Sequence, residues 1–413
     1  MTKPPMLTAQ QALDHLLSNA KAVGESEMVT MQFALGRVLA ENVNSLVDVP
    51  PLDNTSMDGY AVRTADTQTP GSLLKIAQRI PAGSVGTQLE PGTAARIFTG
   101  APVPPGADAV VMQEDCAIPE SSGDQVRVNI APTSGQWIRR RGEDLTAGKT
   151  ALTAGTFLRP QELGVAASAG LTHLNVKRKV RVAAFFTGDE LSLPGEPLKP
   201  GGIYNSNRDT LLACIKSLGC DATDFGIVPD SLEATRETLR KASKDHDLII
   251  TSGGVSVGEE DHIKPAVTAE GRLDLWQIAI KPGKPLAFGA VRKSSENQDG
   301  ETWFIGLPGN PVSSFVTFLL FVRPFILRLQ GRDTGMPQSY PMRADFDWLK
   351  GDRRNEFLRV KINAQGGLDL FPNQSSGVLT SASWGDGLVD CPPGQAFKAG
   401  DMVKYIPFNA LLS

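Results

Sequence analysis

Cysteine and histidine are both scarce in this sequence of 413 residues, which contains four of each. The cysteines are Cys116, Cys214, Cys220 and Cys391, and none forms a C-x-x-C pair. This irregular spacing disfavours a structural zinc site and a disulfide framework, and it fits a reducing compartment. A catalytic centre built on clustered histidines is also hard to assemble from so few.

The sequence also shows little of what directs proteins to membranes. Residues 1–17 contain no basic start followed by an apolar core, so they do not resemble a signal peptide. The longest apolar run, residues 315–322, is shorter than the roughly 20 residues needed to cross a bilayer. We therefore expect a cytoplasmic protein with no membrane partner.

A strong positive charge is absent as well, since the formal net charge is −4 at pH 7. Nucleic-acid-binding proteins usually carry a basic field, so the sequence predicts no nucleic-acid partner. Small anionic ligands are still compatible with this charge, because loops and helix N-termini can bind them locally.

Changes in the pattern of residue types along the chain predict several domains. At roughly 100–200 residues per domain, its length predicts two to four of them. Helical patterns give way to short strands and Pro/Gly turns, and then to alternating strands and helices. We predict a helical domain of residues 1–45 with 145–177, an inserted β-rich module of residues 46–144, an α/β domain of residues 178–330 and a C-terminal β-barrel of residues 331–413.

The α/β domain is predicted from strands that alternate with helices, a pattern typical of a doubly wound, mixed or parallel sheet covered on both faces. Predicted strands in this part of the chain are residues 180–186, 222–228, 247–251, 276–280 and 303–305. Predicted helices over the whole chain are residues 8–19, 34–41, 160–170, 208–218, 231–243, 259–269 and 311–329.

The strongest functional signal is the loop of residues 251–261, which follows an apolar strand. Gly253 and Gly254 allow a tight turn that brings backbone N–H groups close to a ligand, and the hydroxyls of Thr251, Ser252 and Ser256 add neutral donors. Phosphate or pyrophosphate is the natural ligand of such a loop. The acids that follow, ending at Asp261, favour a Mg²⁺ ion between carboxylates and phosphate. The alternative is a simple turn with a helix cap.

Two more loops follow predicted strands. Thr187, Gly188, Asp189 and Glu190 come after the first strand, and the acids could hold Mg²⁺ or orient a water; the alternative is a surface turn. The other loop opens a helix at a proline, so we expect free N–H groups at residues 312–314 to form an anion site; the alternative is a stiff connector. Its candidate binding residues are Pro308, Gly309, Asn310, Pro311 and Ser313.

Polar residues elsewhere have weaker signals. Lys281 and Lys284 lie in a proline-rich turn, which favours a bound oxyanion; the alternative is a solvated loop. Asn205, Ser206 and Asn207 precede a predicted helix, and they could either cap it or bind a heterocycle or phosphate.

Taken together, these segments resemble the molybdopterin molybdenumtransferases, a MoeA-like family that includes the E domain of gephyrin. The matching segments occur in family order and extend over nearly the whole chain: residues 50–61, 97–113, 142–144, 187–191, 205–207, 251–261, 281–288 and 307–314. The resemblance implies molybdenum cofactor biosynthesis, in which adenylylated molybdopterin and molybdate are the substrates, AMP is released and Mg²⁺ is required. It also implies a homodimer.

The resemblance further implies roles for single residues. The catalytic set is Asp58, Thr99, Asp144, Glu190 and Asp261, of which the first three reach the cleft from the partner subunit. The metal ligands are found among Asp189, Glu190, Asp230 and Asp261. Molybdate lies near Lys281, Lys284, Arg359 and Ser376. Departures from the family pattern are Glu260 with His262 and Thr55 with Ser56.

The implied partners are a molybdopterin adenylyltransferase and proteins that mature molybdoenzymes. Three alternative functions remain open at this point. An adenylyltransferase would use a domain like residues 178–330, but such enzymes are usually short single domains. A nucleotide amidohydrolase is more remote, and a clustering scaffold lacks the expected linker and disordered region.

Overall fold

The structure is a computed structural model that describes residues 6–120, 123–254, 262–293 and 300–412, without the side chain of Leu275. The chain forms two compact units. One unit combines Met1–Glu27 with Lys177–Ser413, and the other is Met28–Val176. Strands Ser26–Thr30 and His173–Lys177 lie where the chain passes between them. The predicted domain boundaries stay predictions.

The unit of residues 28–176 is built around a six-stranded sheet. Gly59 is required in it, because a Cβ atom there would lie 1.9 Å from the carbonyl oxygen of Val111. Short strands separated by Pro/Gly turns were predicted in this part of the chain, and the structure contains such strands. In spatial order the strands are Ala109–Met112, Gly59–Val62, Thr93–Ile97, Ser72–Ile80, Gln125–Val128 and Cys116–Ala117. Smaller pairs join Asn54–Thr55 to Ile138–Arg139 and Val43–Asn44 to Thr150–Leu152.

Two short α-helices of this unit test the sequence patterns. The predicted helix at residues 160–170 is confirmed as Pro160–Ser168, with proline in its first turn and Gly170 at φ +87° after its end. The prediction of a helix at residues 34–41 is wrong. Helix Met31–Ala34 ends there because Gly36 takes φ +74° and the following residues Val38 and Leu39 enter β-bridges.

The larger unit contains a mixed six-stranded sheet. The first four strands pair in parallel, and the fifth strand runs antiparallel to both of its neighbours, the fourth and the sixth. In spatial order they are Asp221–Val228, Arg181–Thr187, Leu248–Ser252, Glu301–Leu307, Pro285–Arg292 and Gly271–Gln277. The mixed sheet was predicted, but the pattern of residues 285–292 does not mark a strand, because alanine and glycine replace the usual β-branched residues.

Helices cover both faces of this sheet because buried side chains alternate along its strands. Phe186 belongs to one hydrophobic cluster and Phe185 to another. The first cluster includes residues from Ala9–Asn19, Ser206–Ser217 and the long helix starting at Pro311; the second includes residues from Leu232–Asp245 and Ile263–Glu270. Side chains of Thr8, Asn205 and Ser231 cap three of these helices.

The long apolar helix Pro311–Leu329 extends beyond the apolar run considered above. It has 19 residues, and its most apolar 18-residue stretch has a mean hydropathy of 1.7, so it is long and apolar enough to cross a membrane. However, 89% of that stretch is buried inside the protein, as expected of a core helix. It consists of Pro311–Thr317, a π-helical stretch Phe318–Val322 and Arg323–Leu329.

The C-terminal part of the larger unit forms a second sheet. Its strands in order are Ile280–Lys281, Asn355–Ile362, Gly387–Cys391, Met402–Pro407 and Tyr340–Arg343, with Leu368–Leu370 paired to Asn355–Ile362. A bridge between Ala344 and Leu368 completes a ring of pairings. Further elements of this unit are a parallel pair, Leu191–Ser192 with Ile203–Tyr204, and helix Thr380–Trp384.

Candidate active site

One cavity of about 1130 Å³ lies within the larger unit. It is bordered by the loops that follow three parallel strands, Arg181–Thr187, Leu248–Ser252 and Glu301–Leu307. This is the edge at which open α/β sheets bind ligands. A smaller cavity of about 480 Å³ borders Arg178 and Asp247, and none of these loops reaches it.

The cavity brings together most of the residues singled out in the sequence. Those that line it are Thr187, Gly188, Glu190, Asn205, Ser206, Asp230, Ser252, Gly253, Gly254, Lys281, Lys284, Pro308, Gly309, Asn310, Pro311, Ser313 and Ser376. Asp189 and Arg359 do not line it. Ser256 and Asp261 lie outside the described residues. The roles assigned to all these residues remain predictions.

The backbone conformation and close contacts of Gly253 explain why the loop after strand Leu248–Ser252 needs glycine at this position. Its φ is +99°, and a Cβ atom would lie 2.7 Å from the carbonyl oxygen of Thr187. Its N–H donates to the carbonyl of Leu307 at 3.2 Å. The loop therefore packs directly against both neighbouring strand ends.

Asn207 joins three loops, although its sequence pattern indicated only a possible cap or ligand contact. Its Nδ2 donates to Ser252 Oγ at 2.8 Å and to the carbonyl of Gly309 at 2.7 Å. Ser252 Oγ in turn donates to the carbonyl of Pro308 at 3.0 Å. The Ser252 hydroxyl hydrogen thus points at the Pro308 carbonyl and holds the loop closed, and the expectation that Ser252 binds a ligand stays a prediction.

Two of the three N–H groups expected to be free at residues 312–314 are bonded within the protein, so the expectation is wrong for Val312 and Ser314. The N–H of Val312 donates to the carbonyl of Ser376 at 2.9 Å, and that of Ser314 donates to the carbonyl of Asn310 at 2.9 Å. The first of these bonds attaches the C-terminal sheet's loop to the α/β fold. Pro311 does occupy the first turn, as predicted.

The cations of the cavity are not equivalent. Lys281 Nζ lies 2.8 Å from Glu356 and 3.5 Å from Asp352, because strand Ile280–Lys281 pairs with the strand that carries Glu356. Lys284 is exposed and forms no ion pair with any residue that the structure describes. Of the expected lysine pair, only Lys284 is therefore without an intramolecular partner in the described part of the chain.

Arg354 is a further cation of the cavity that the sequence patterns did not reveal. Its guanidinium lies 3.2 Å from Asp352. Hydrogen bonds from Arg354 lower the pKa of Asp352 to about 2. No local signal could identify Arg354, since its place in the cavity depends on the packing of the C-terminal sheet.

Arg359 lies behind the cavity wall and is only 1% exposed. Its guanidinium donates to Ser381 Oγ at 3.1 Å and to the carbonyls of Phe357 at 3.1 Å and Ser375 at 3.3 Å. Burial lowers its pKa to about 10. In this position it supports the loop that carries Ser376 rather than lining the cavity.

The other three predicted catalytic residues belong to the unit of residues 28–176. Asp58 Oδ1 accepts hydrogen bonds from the backbone N–H and the hydroxyl of Thr99, both at 2.7 Å. These bonds, with the positive charge of Arg96, hold the pKa of Asp58 below its ordinary value. Asp144 is exposed, and its N–H donates to the carbonyl of Val49. Asp58 and Thr99 thus form one local pair.

This chain is similar to known proteins over nearly its whole length. Family models match residues 7–170 as the MoeA N-terminal region, residues 183–328 as a probable molybdopterin-binding domain and residues 341–408 as the MoeA C-terminal region. A molybdopterin molybdenumtransferase of Haemophilus influenzae is 38% identical over 414 residues, covering 98% of this chain and 100% of the relative. One from Nostoc sp. is 34% identical, covering 95% and 91%.

The fold matches as well. The crystal structure of a molybdopterin biosynthesis MoeA protein from Pyrococcus horikoshii OT3 superposes with a TM-score of 0.83 at 28% identity, covering 98% of this chain and 100% of the other. Sequence, domain content and fold therefore agree that this chain is a molybdopterin molybdenumtransferase, an enzyme of molybdenum cofactor biosynthesis that belongs to the MoeA family.

Proposed function

We propose that this enzyme inserts molybdate into adenylylated molybdopterin with Mg²⁺ and releases AMP. The observation that carries the proposal is that one cavity combines glycine- and hydroxyl-rich loops with the cations Lys284 and Arg354. The loops suit a phosphate-bearing ligand, and the cations suit a second oxyanion. A substrate that carries an adenylyl phosphate and reacts with molybdate needs both.

The donor set in the cavity is compatible with Mg²⁺. Glu190 and Asp230 line it, whereas the described residues contain no group of three or more side chains suited to hold a metal. Mg²⁺ commonly binds through one or two carboxylates together with substrate phosphate oxygens. When bound, the ion would offset negative charge on the adenylyl phosphate as its P–O bond breaks. Asp189 does not line the cavity, and Asp261 lies outside the described residues.

The protein's own groups have separable tasks in this proposal. The loop containing Gly253 and Gly254 holds the phosphate, and Glu190 orients a water or metal ligand beside it. Lys284 and Arg354 attract molybdate, which is a dianion. Exclusion of water from the cavity would strengthen each of these electrostatic contacts.

We also propose that two copies of the chain share each cleft, with Asp58, Thr99 and Asp144 supplied by the partner subunit. The exposed apolar side chains Phe33, Leu35 and Leu46, which are 57–66% exposed in the unit of residues 28–176, favour such an association. A molybdopterin adenylyltransferase would supply the substrate in the cytoplasm, and molybdoenzyme-maturation proteins would receive the product.

The test is AMP release from adenylylated molybdopterin by the purified enzyme, with and without molybdate and Mg²⁺. We expect release that depends on both ions and falls at least about 100-fold in Asp58→Asn and Glu190→Gln. Glu237→Gln, which neutralises an exposed carboxylate paired with Lys241 outside the cavity, is the matched control and should retain activity. Tight ligand binding without AMP release would contradict the proposed reaction.

Mixing the two inactive variants tests the shared cleft. If Asp58 and Glu190 come from different subunits, a mixed dimer contains one intact cleft, and subunit exchange should restore a substantial fraction of activity. No recovery, despite exchange demonstrated with differently tagged chains, would contradict the shared arrangement. Light scattering should report a dimer.

A further inference from the structure

The loop of residues 372–377 reaches the cavity from the C-terminal sheet, and the side chain of Gln374 holds it. Gln374 Oε1 accepts from the N–H of Arg359 at 2.9 Å. Its Nε2 donates to the carbonyls of Arg359 at 3.0 Å and Phe371 at 2.9 Å. The orientation of the amide is fixed, because the N–H and C=O groups of Arg359 require opposite ends of it.

The Gln374 side chain continues the hydrogen bonding of a β-ladder beyond the end of one of its strands. Strand Asn355–Ile362 pairs with Leu368–Leu370 as far as the Val360 and Leu370 pair, and the N–H of Phe371 then donates to the carbonyl of Arg359 at 3.2 Å. Beyond that point the Gln374 amide occupies the place of the next peptide group. The chain can therefore leave the sheet and turn toward the cavity without losing the hydrogen bonds of Arg359.

The next two residues are held as well. The carbonyl of Ser375 accepts from the Arg359 guanidinium at 3.3 Å, and that of Ser376 accepts from the N–H of Val312 at 2.9 Å. Three successive residues, Gln374 to Ser376, are thus fixed through groups other than the two serine hydroxyls. No hydrogen bond of either hydroxyl to the described residues is present.

We propose that Gln374 is a positioning residue that holds the hydroxyls of Ser375 and Ser376 in the cavity as donors to the oxyanion substrate. The inference rests on the proposed function, since it takes molybdate as the oxyanion. Both serines line the cavity, together with the cation Arg354. Neutral hydroxyl donors and cations together suit a tetrahedral dianion, provided that their positions are fixed before it binds.

Two substitutions of Gln374 separate its hydrogen bonds from its volume. Gln374→Met keeps the length of the side chain and removes all three bonds. Gln374→Glu keeps the acceptor for Arg359 but directs a carboxylate oxygen at two carbonyls. Gln365→Met, at an exposed position in another loop of the same sheet, is the matched control.

The measurement is steady-state AMP release at varied molybdate and saturating adenylylated molybdopterin. We expect the KM for molybdate to rise about tenfold or more in both Gln374 variants, with kcat changed less than about threefold. Gln365→Met should behave as the parent enzyme. An unchanged KM for molybdate in a folded Gln374→Met protein would overturn the inference.

Amide hydrogen exchange of residues 371–379 without substrate gives a readout that does not depend on the reaction. Faster exchange in Gln374→Met supports the positioning role, and unchanged exchange overturns it. If the parent enzyme releases no AMP in response to molybdate, the proposed function fails, and exchange alone decides whether Gln374 holds the loop. If Gln374→Met does not fold, Ser376→Ala replaces it, because it removes a hydroxyl and leaves the carbonyl bond to Val312; an unchanged KM for molybdate then counts against the inference.

Discussion

The side-chain nitrogen of Asn207 lies 2.8 Å from Ser252 Oγ, at the point where three loops of the candidate active-site cavity meet. The same nitrogen lies 2.7 Å from the carbonyl oxygen of Gly309. Asn207 belongs to the start of a helix, Ser252 ends one strand, and Gly309 follows another. One amide group therefore sets the separation of the loops that we propose to hold the phosphate.

Asn207→Asp should open this junction. The carboxylate cannot donate, and it would face the carbonyl of Gly309 and the oxygen of Ser252, whose hydrogen is directed at Pro308. We expect a loss of about 1–3 kcal/mol in the free energy of unfolding and a higher KM for adenylylated molybdopterin. Ser314→Ala is the control, because its contact with Ser252 is the longest of the junction at 3.3 Å. Chemical denaturation measures the free energy of unfolding, and steady-state kinetics measure the KM. Equal effects of the two substitutions would contradict the prediction.

Gly253 and Gly309 face each other across the same junction but differ in what they tolerate. Gly253→Ala places a Cβ atom 2.7 Å from the Thr187 carbonyl at φ +99°, so we expect a cost of about 1–3 kcal/mol and a displaced loop. Gly309→Ala places its Cβ at an ordinary 3.8 Å from Gly253, so we expect less than about 1 kcal/mol. Thermal unfolding of both variants checks the difference.

Lys281 has a structural task that can be separated from ligand binding. Lys281→Met would leave the carboxylate of Glu356, which is 2% exposed, without its cation, at a cost of about 1–3 kcal/mol. Adding Glu356→Gln should recover most of that stability, because the buried charge is removed. If Lys281 also binds molybdate, the double variant keeps a raised KM for molybdate. If the double variant recovers both the stability and the KM for molybdate of the parent enzyme, Lys281 has only a structural role.

Acid stability should depend on Asp247 more than on Glu25, although both contact Arg178. Asp247 is 14% exposed and accepts two bonds from the guanidinium at 2.7 and 2.8 Å, whereas Glu25 is 69% exposed. Burial raises the pKa of Asp247, but bonds from Arg178 and the N–H of Arg181 outweigh it and leave the pKa lowered. The ionised form therefore stabilises the fold above the pKa of an unfolded aspartate, about 3.9.

This contribution is lost as the pH falls below about 3.9 and through the lowered pKa of the folded state. Asp247→Asn should lower stability by about 2–3 kcal/mol at pH 7 and flatten the acid side of the stability curve. Glu25→Gln should cost less than about 0.5 kcal/mol at pH 7. Urea unfolding from pH 3 to pH 7 measures both, and similar curves for the two variants would contradict the prediction.

Local patterns predicted much of the framework of the site. Strand residues 180–186 and 247–251, followed by glycine and hydroxyl side chains, placed two loops at one sheet edge because parallel strands end together. The helix predicted at residues 34–41 failed because a single glycine, Gly36, takes a left-handed conformation that composition does not reveal. The N–H of Val312 was also misjudged, because its partner Ser376 lies far along the chain and comes close only in the fold.

Sequence alone determined the capped helices, the buried strands and the polar loops after them, since each depends on neighbouring residues. The family assignment, drawn from eight short segments in order, needed no contact information. Only the tertiary structure decided that Asn207 binds a carbonyl 102 residues away and that Gln374, Arg354 and Glu356 reach the cavity or its wall from a separate sheet. The reason is physical: hydrogen-bond partners and charge pairs are chosen by proximity in the fold, and that proximity arises only when the sheets pack.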